Sequence, residues 1–342
     1  MLPVTCARFR SLMAAVTATL ITPSALQATP IAIDWVTVGD PGNAADTTGY
    51  GAVTSSFQIM KYEFTNQQYT DFLNTVAATD RYSLYDADMG RNSTGGITQS
   101  GASGAYAYAV KTNMGNKPVN FLSWFDAARV SNWLMNGATG TSSTETGAYT
   151  LVSGQTTGTA PAVNPGATVY VPTEDQWYKT AYYKGGSTNA GYWAYATQSN
   201  TAPTAVTANG TGSGSAGSTG NNANYGRVAD WNGQDGNVTT VGTNGGASAY
   251  GAFDMNGNVW EWNDLTGAAG AYRGLRGGSY DLDSALTLSS SFGNSDDPSS
   301  GYGSVGFRLA RPVAVPEPST WVMGLAGIAC GGWEMWRRRR TR

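Results

Sequence analysis

The chain has 342 residues, enough for one large domain or two small ones, and a hydrophobic content of 41% excludes wholesale disorder. Only 13% of residues are charged, while 45 are glycine, 11 Trp and 19 Tyr; this is the make-up of a loop-rich, aromatic-pinned exported protein, not of a helical cytosolic enzyme. There is no histidine, and the only cysteines are Cys6 and Cys330, so Ser-His-Asp and Cys-His catalysis and every imidazole-held zinc or iron site are excluded.

Residues 1–10 carry Arg8 and Arg10 and no acid, residues 12–21 are a short apolar run, and Ser24 to Ala28 supply small residues for cleavage. That order predicts a secretory signal peptide, cut after Ala28. A strand is expected over 58–63. Thr65 and Gln68 then form a capping box, with Tyr69, Phe72, Leu73 and Val76 on one helical face behind it. Ser123 opens a second helix, with Asp126 in place of the usual Glu or Gln; it ends at Asn136-Gly137. Thr173 and Gln176 cap a third, with Pro172 blocking extension upstream and two acids at the positive end of the dipole. Further strands are expected at 168–171, 275–279 and 305–310. Gly/Ser/Thr/Asn-rich segments at 83–104, 137–166 and 209–222 read as long surface loops.

The C-terminal end reads Pro316-Glu317-Pro318, then an apolar stretch over 321–333, then four arginines at 337–340. Thirteen apolar residues fall short of the ~20 that span a bilayer comfortably. The arginines favour a cytoplasmic end. Triplet, short apolar segment and arginine cluster closely resemble the PEP-CTERM sorting signal of Gram-negative bacteria. The resemblance implies export, transient membrane retention through the C-terminal segment, and an exosortase-type sorting machinery as partner. The expected division is a signal peptide over 1–28, one domain over 29–315 and a sorting signal and anchor over 316–342. Removing the two ends takes away seven Arg and two Glu, leaving 13 basic against 21 acidic side chains, net −8. So acidic a domain argues against nucleic-acid binding.

Within the domain stand Tyr62-Glu63-Phe64-Thr65-Asn66, then Lys117-Pro118-Val119-Asn120 through Trp124, then Val171 through Trp177. Asp254-Met255-Asn256-Gly257-Asn258-Val259-Trp260-Glu261-Trp262 follows, then Arg276-Gly277-Gly278-Ser279-Tyr280 and Gly306-Phe307-Arg308-Leu309-Ala310. In this order, over about residues 33–311, they closely resemble the formylglycine-generating, or sulfatase-modifying factor, domain. The resemblance implies a single α+β domain, loop-rich and C-type-lectin-like, with much irregular backbone. The motifs also make physical sense unaided. Gly257 supplies a tight turn beneath Trp260 and Trp262, whose rings would anchor loops that strands do not hold. Arg276 and Arg308 sit in otherwise apolar strands, so each calls for a buried carboxylate, with Glu174 and Glu261 as candidates.

Calcium is the cofactor this turn suits. Asp254, Gly257, Val259 and Glu261 place two carboxylates and two carbonyls together, and Ca²⁺ takes 6–8 oxygen ligands. The family's calcium uses the matching positions, and its second calcium maps onto Asn224, Asp235 and the carbonyls of Tyr225 and Asn237. The other reading of Asp254 and Glu261 is that they only hydrogen-bond backbone and pair with arginine.

The family's oxidase binds copper through two cysteines shortly after the Arg-Gly-Gly-Ser-Tyr motif; here those positions carry Leu282 and Thr287. Neither can hold Cu(I), which needs soft thiolates, so no copper is predicted. Trp260, Ser279, Tyr280, Asp281 and Asp283 are the candidates for a binding cleft. Three function classes stay open: a non-catalytic binding or structural protein of the cell surface or matrix, with a glycan or peptide ligand; a cysteine-free enzyme using the acids Asp281, Asp283, Asp296 and Asp297, which also read as a solvated loop; and formylglycine generation itself.

Overall fold

In the computed structural model, which describes residues 31–313, all three predicted capping boxes close. There are four α-helices among the described residues: α1 (Asn66–Val76), α2 (Ala87–Arg91), α3 (Trp124–Met135) and α4 (Glu174–Tyr182). At the head of α1 the Gln68 side chain accepts the Thr65 N–H at 2.9 Å, and Asp126 does the same for Ser123 at 2.8 Å on α3. Each box satisfies two donors that a helix start otherwise leaves unpaired. Asn136 ends α3, with Gly137 at φ +95° beyond it. Tyr69, Phe72 and Leu73 are buried as their spacing requires, with Val76 half-buried. The segment 83–104 is more structured than expected: Asp86 caps α2, whose signal is a single short Asx turn, and a strand follows.

The strands are short: β1 (Trp35–Val38), β2 (Phe57–Met60), β3 (Ile97–Ser100), β4 (Ala107–Val110), β5 (Thr204–Ala205), β6 (Asn222–Ala223), β7 (Trp260–Asn263), β8 (Arg273–Arg276), β9 (Asn294–Asp296), β10 (Val305–Phe307) and β11 (Ala310–Pro312). One sheet runs β1-β2-β11, all antiparallel. A second runs β10-β7-β8-β9, with β10 parallel to β7 and the other pairs antiparallel. The expected strand over 305–310 therefore divides around Arg308-Leu309, one half in each sheet. The expected strand at 168–171 is absent; only Tyr170 bridges to Ala310, through hydrogen bonds of 2.9 and 2.7 Å, and Pro172 has no N–H to continue a ladder. β8 stops at Arg276 because Gly277 and Gly278 turn away at φ +95° and +75°.

The core between helices and sheets is aromatic. Phe72 of α1 meets Trp133 of α3 at 5.2 Å, Phe64 stacks on Phe307 at 4.9 Å, and Trp124 meets Tyr149 edge-on at 4.9 Å. A separate cluster packs Trp177, Tyr178 and Tyr182 of α4 against Ala252 and Met255. Rings of this size bury about 150–250 Å² each, which lets strands of three or four residues hold long irregular loops. The result is one sheet-rich, loop-rich domain with small helices. No helix among the described residues is long and apolar enough to cross a membrane. The expected signal peptide and sorting signal lie outside the described residues.

Candidate functional site

The turn from Asp254 to Trp262 is buried along its whole length. Asp254, Gly257 and Asn258 adopt φ of +57°, +78° and +65°. Gly257 also passes so close to the neighbouring chain that a Cβ there would stand 2.2 Å from the Asn224 carbonyl oxygen. Only glycine permits both the angle and the approach. The Asn258 N–H donates to that same carbonyl at 2.8 Å, locking residues 224 and 257 together.

Two buried ion pairs flank the turn. Arg308 grips Glu261 in fork geometry, Nη2 to Oε1 and Nε to Oε2, both at 2.5 Å, and Trp177 Nε1 donates to the same Oε2 at 2.7 Å. Arg276 holds Glu174 at the head of α4. These are the pairs that arginines in apolar strands call for. Two more carboxylates stand close to Glu261. Asp254 accepts from the Gly242 N–H at 2.5 Å and from Asn244 Nδ2 at 2.9 Å. Glu63, fully buried, accepts from Asn258 Nδ2 at 2.7 Å and the Val259 N–H at 3.2 Å. Burial, then the repulsion of Asp254 and Glu261, pushes the Glu63 carboxyl well above its usual range; burial also raises Asp254. Three carboxyls around one guanidinium repel one another, which favours the neutral form of Glu63 and Asp254. Glu63 joins the expected set unannounced; its one sign in the sequence is an acid between two aromatics, Tyr62 and Phe64.

The residues expected to bind calcium fit it in part. Asp254 lines a recess of about 10 Å³, room for one water-sized occupant. Asn224 Oδ1 is buried without a partner. Glu261, by contrast, is committed to Arg308 and Trp177, the other reading of that residue. Asp235 is exposed while Asn224 and Asn237 are buried, and the Asn237 carbonyl accepts from Asn224 Nδ2 at 2.9 Å. No group of three or more Asp, Glu, Cys or His side chains among the described residues can hold a metal.

The expected cleft residues are mostly interior. Trp260 is 8% exposed and packs on Phe292 at 6.0 Å; Tyr280, 7% exposed, packs beside Met114 and Trp231. Ser279 is fully buried and donates to Asp281 Oδ1 at 2.6 Å. Asp283 points to solvent, 3.9 Å from exposed Arg227. The four acids do not form one cluster: Asp296 opposes Arg273 at the start of β8, whereas Asp281 and Asp283 lie beyond the Gly277-Gly278 turn at its other end.

The model of the sulfatase-modifying factor enzyme 1-like domain matches residues 39–313. The chain belongs to this family. No curated protein matches it. Among solved structures it is similar to CarF, at 20% identity and a TM-score of 0.50 over 83% of this chain and 99% of that one. It is also similar to Treponema denticola variable protein 1 (17% identity, TM-score 0.48, 82% and 95% coverage) and to PvdO from Pseudomonas aeruginosa (17%, 0.41, 82% and 92%). At these identities the CarF likeness concerns the fold alone. Of the two residues that the sequence resemblance sets at the family's copper-binding positions, Leu282 packs against the main core and Thr287 donates its hydroxyl to the Ser284 carbonyl at 2.7 Å.

Proposed function

We propose that this sulfatase-modifying factor domain is a non-catalytic binding or structural protein, exported and held at the cell surface by its C-terminal segment through exosortase-type sorting, with a glycan or peptide as ligand. One observation carries the reading. The two positions that would hold copper are a hydrocarbon and a hydroxyl, and the domain has no cysteine or histidine to replace them. Electrons from a substrate thiol then have no soft-ligand metal through which to reach oxygen. The separation of Asp281 and Asp283 from Asp296 and Asp297 weakens the alternative of a cysteine-free acid–base enzyme, which needs its carboxyls together. The loop-rich frame agrees with a C-type-lectin-like fold, which suits binding through loops on a rigid scaffold. Calcium belongs to the same proposal, with Asp254 as its side-chain carboxylate and the carbonyls of Gly257 and Val259 as further oxygens.

The test is incubation of the purified domain with a cysteine-containing sulfatase peptide, aerobically and anaerobically, with and without copper, followed by mass spectrometry. No conversion is expected under any condition, alongside retention on a glycan or peptide array. Copper-dependent formation of formylglycine would overturn the reading.

A further inference from the structure

A cleft of about 550 Å³ opens between α1, Tyr62 and the loop at 240–241, apart from the expected calcium and copper positions. Its volume falls within the ~300–1,000 Å³ range of small-molecule sites. Resting on the binding reading, we propose that this cleft is a subsite for a neutral sugar residue of an extracellular glycan.

The lining matches that ligand. The Tyr62 hydroxyl and the Asn116 side-chain amide have no hydrogen-bond partner among the described residues. Gln67 spends Nε2 on Asp71 Oδ1 at 2.9 Å, which leaves Gln67 Oε1 and Asp71 Oδ2 to accept. A phenol, a primary amide and a carboxylate together offer donors and acceptors in the mixture that vicinal hydroxyls require. The Tyr62 ring and Val241 supply apolar wall for the C–H faces of a pyranose. A second recess of about 120 Å³ shares Tyr62, Thr65 and Gln68 with the first, so a chain longer than one residue has somewhere to continue.

The walls are held before any ligand arrives. Tyr62 stacks on Phe253 with centroids 5.5 Å apart, and its ring edge presses on Gly242, where a Cβ would stand 2.6 Å from it. Lys117, from the motif that precedes α3, donates to Thr240 Oγ1 at 2.7 Å and to the Thr211 carbonyl at 2.8 Å, with its amine 4.8 Å above the Trp231 ring. That pins one wall of the cleft and one of the glycine-rich loops at once. Fixed walls reduce the ordering cost of binding.

Charge selects among sugars. One acid and no base line the cleft, and the domain carries net −8, so uronates, sulfated sugars and phosphates are disfavoured. An extended peptide is the poorer match, because helix and loops wall the cleft and none of its lining residues belongs to a strand.

Saturation-transfer NMR on the exported domain tests this, with the methyl glycosides of glucose, galactose, mannose and N-acetylglucosamine, and methyl glucuronide as the anionic counterpart. At least one neutral glycoside should bind with a Kd on the order of 1 mM, the weak range of a single residue, and the glucuronide more weakly. Asn116→Ala and Asp71→Asn, both at exposed positions, should each weaken binding by about tenfold, with the melting temperature unchanged. Preference for the glucuronide, absence of any glycoside binding, or a peptide seated in the cleft overturns the sugar assignment. Glycoside binding that survives both substitutions and is lost in Asp281→Asn places the ligand elsewhere; the cleft falls and the binding reading stands. Copper-dependent peptide oxidation would instead remove the binding reading.

Discussion

Replacing Glu261 by Gln keeps the shape of the side chain and removes its charge. Arg308 is fully buried and has spent its remaining donors on main chain, Nη1 on the Met60 carbonyl at 3.2 Å and Nη2 on that of Phe253 at 2.8 Å. In the variant one carboxylate oxygen becomes an amide NH₂, which faces an N–H of Arg308 whichever way it turns. Breaking one side of a buried ion pair costs about 3–5 kcal/mol, because the other charge is left uncompensated. Here a neighbour can offset part of that. Burial and the negative charges of Asp254 and Glu261 push the Glu63 carboxyl above its usual range. With the Glu261 charge gone its proton leaves more readily, and its carboxylate can serve Arg308 at a distance. The expected loss at neutral pH is therefore about 3 kcal/mol, against total stabilities of about 5–15 kcal/mol for domains generally. Glu63→Gln alone should cost less, since it leaves the Glu261–Arg308 pair intact. The double variant should cost more than the sum of the singles by at least about 0.5 kcal/mol, the usual threshold for coupling. Urea unfolding of the four proteins measures the cycle. A loss below about 1 kcal/mol in Glu261→Gln, or strict additivity, would refute the shared-charge account.

Stability should fall as pH rises from 5 to 7.5. Burial raises Asp264 to about 7 and Asp126 to about 6, above unfolded values near 4, so the folded state holds more protons across that window and loses stability as they leave; a urea midpoint that climbs instead would contradict this, and Asp126→Asn should flatten the slope. Calcium at about 100 times its Kd should add roughly 2.7 kcal/mol of stability. EDTA should then lower the melting temperature of the parent and leave that of Asp254→Ala unmoved; no response in the parent removes calcium from the proposal.

What could be read from the chain was what is local. A Thr or Ser with Gln or Asp three residues on fixes a helix start within one turn, and all three such starts formed. An arginine in an apolar strand demands a carboxylate whatever the fold, which is why Glu174 and Glu261 were already candidates for Arg276 and Arg308. The partner of each was not readable, since 102 residues separate Glu174 from Arg276 and 47 separate Glu261 from Arg308. The cleft beside Tyr62 was invisible for the same reason: its walls come from residues 31–32, 62–71, 116 and 240–241, which no periodicity connects. The acids after β8 show the opposite error. Asp281, Asp283, Asp296 and Asp297 are near in sequence, yet the Gly277-Gly278 turn and the return through β9 carry them to opposite ends of one strand.

The same physical demand runs through the family motifs and assigns them to architecture before chemistry. Glu261 and Arg308 join β7 to the segment between β10 and β11, and so tie the two sheets together. Arg276 and Glu174 tie β8 to the head of α4. Trp177 reaches from α4 to Glu261, linking the two ion pairs into one buried network. Each of these contacts substitutes for the backbone ladder that strands of three or four residues cannot supply. None of them involves Leu282 or Thr287, so the frame closes without either side chain taking part in the network. Fold and chemistry are therefore separable in this domain: the buried pairs hold the frame, and what the domain does is decided by the residues its clefts present.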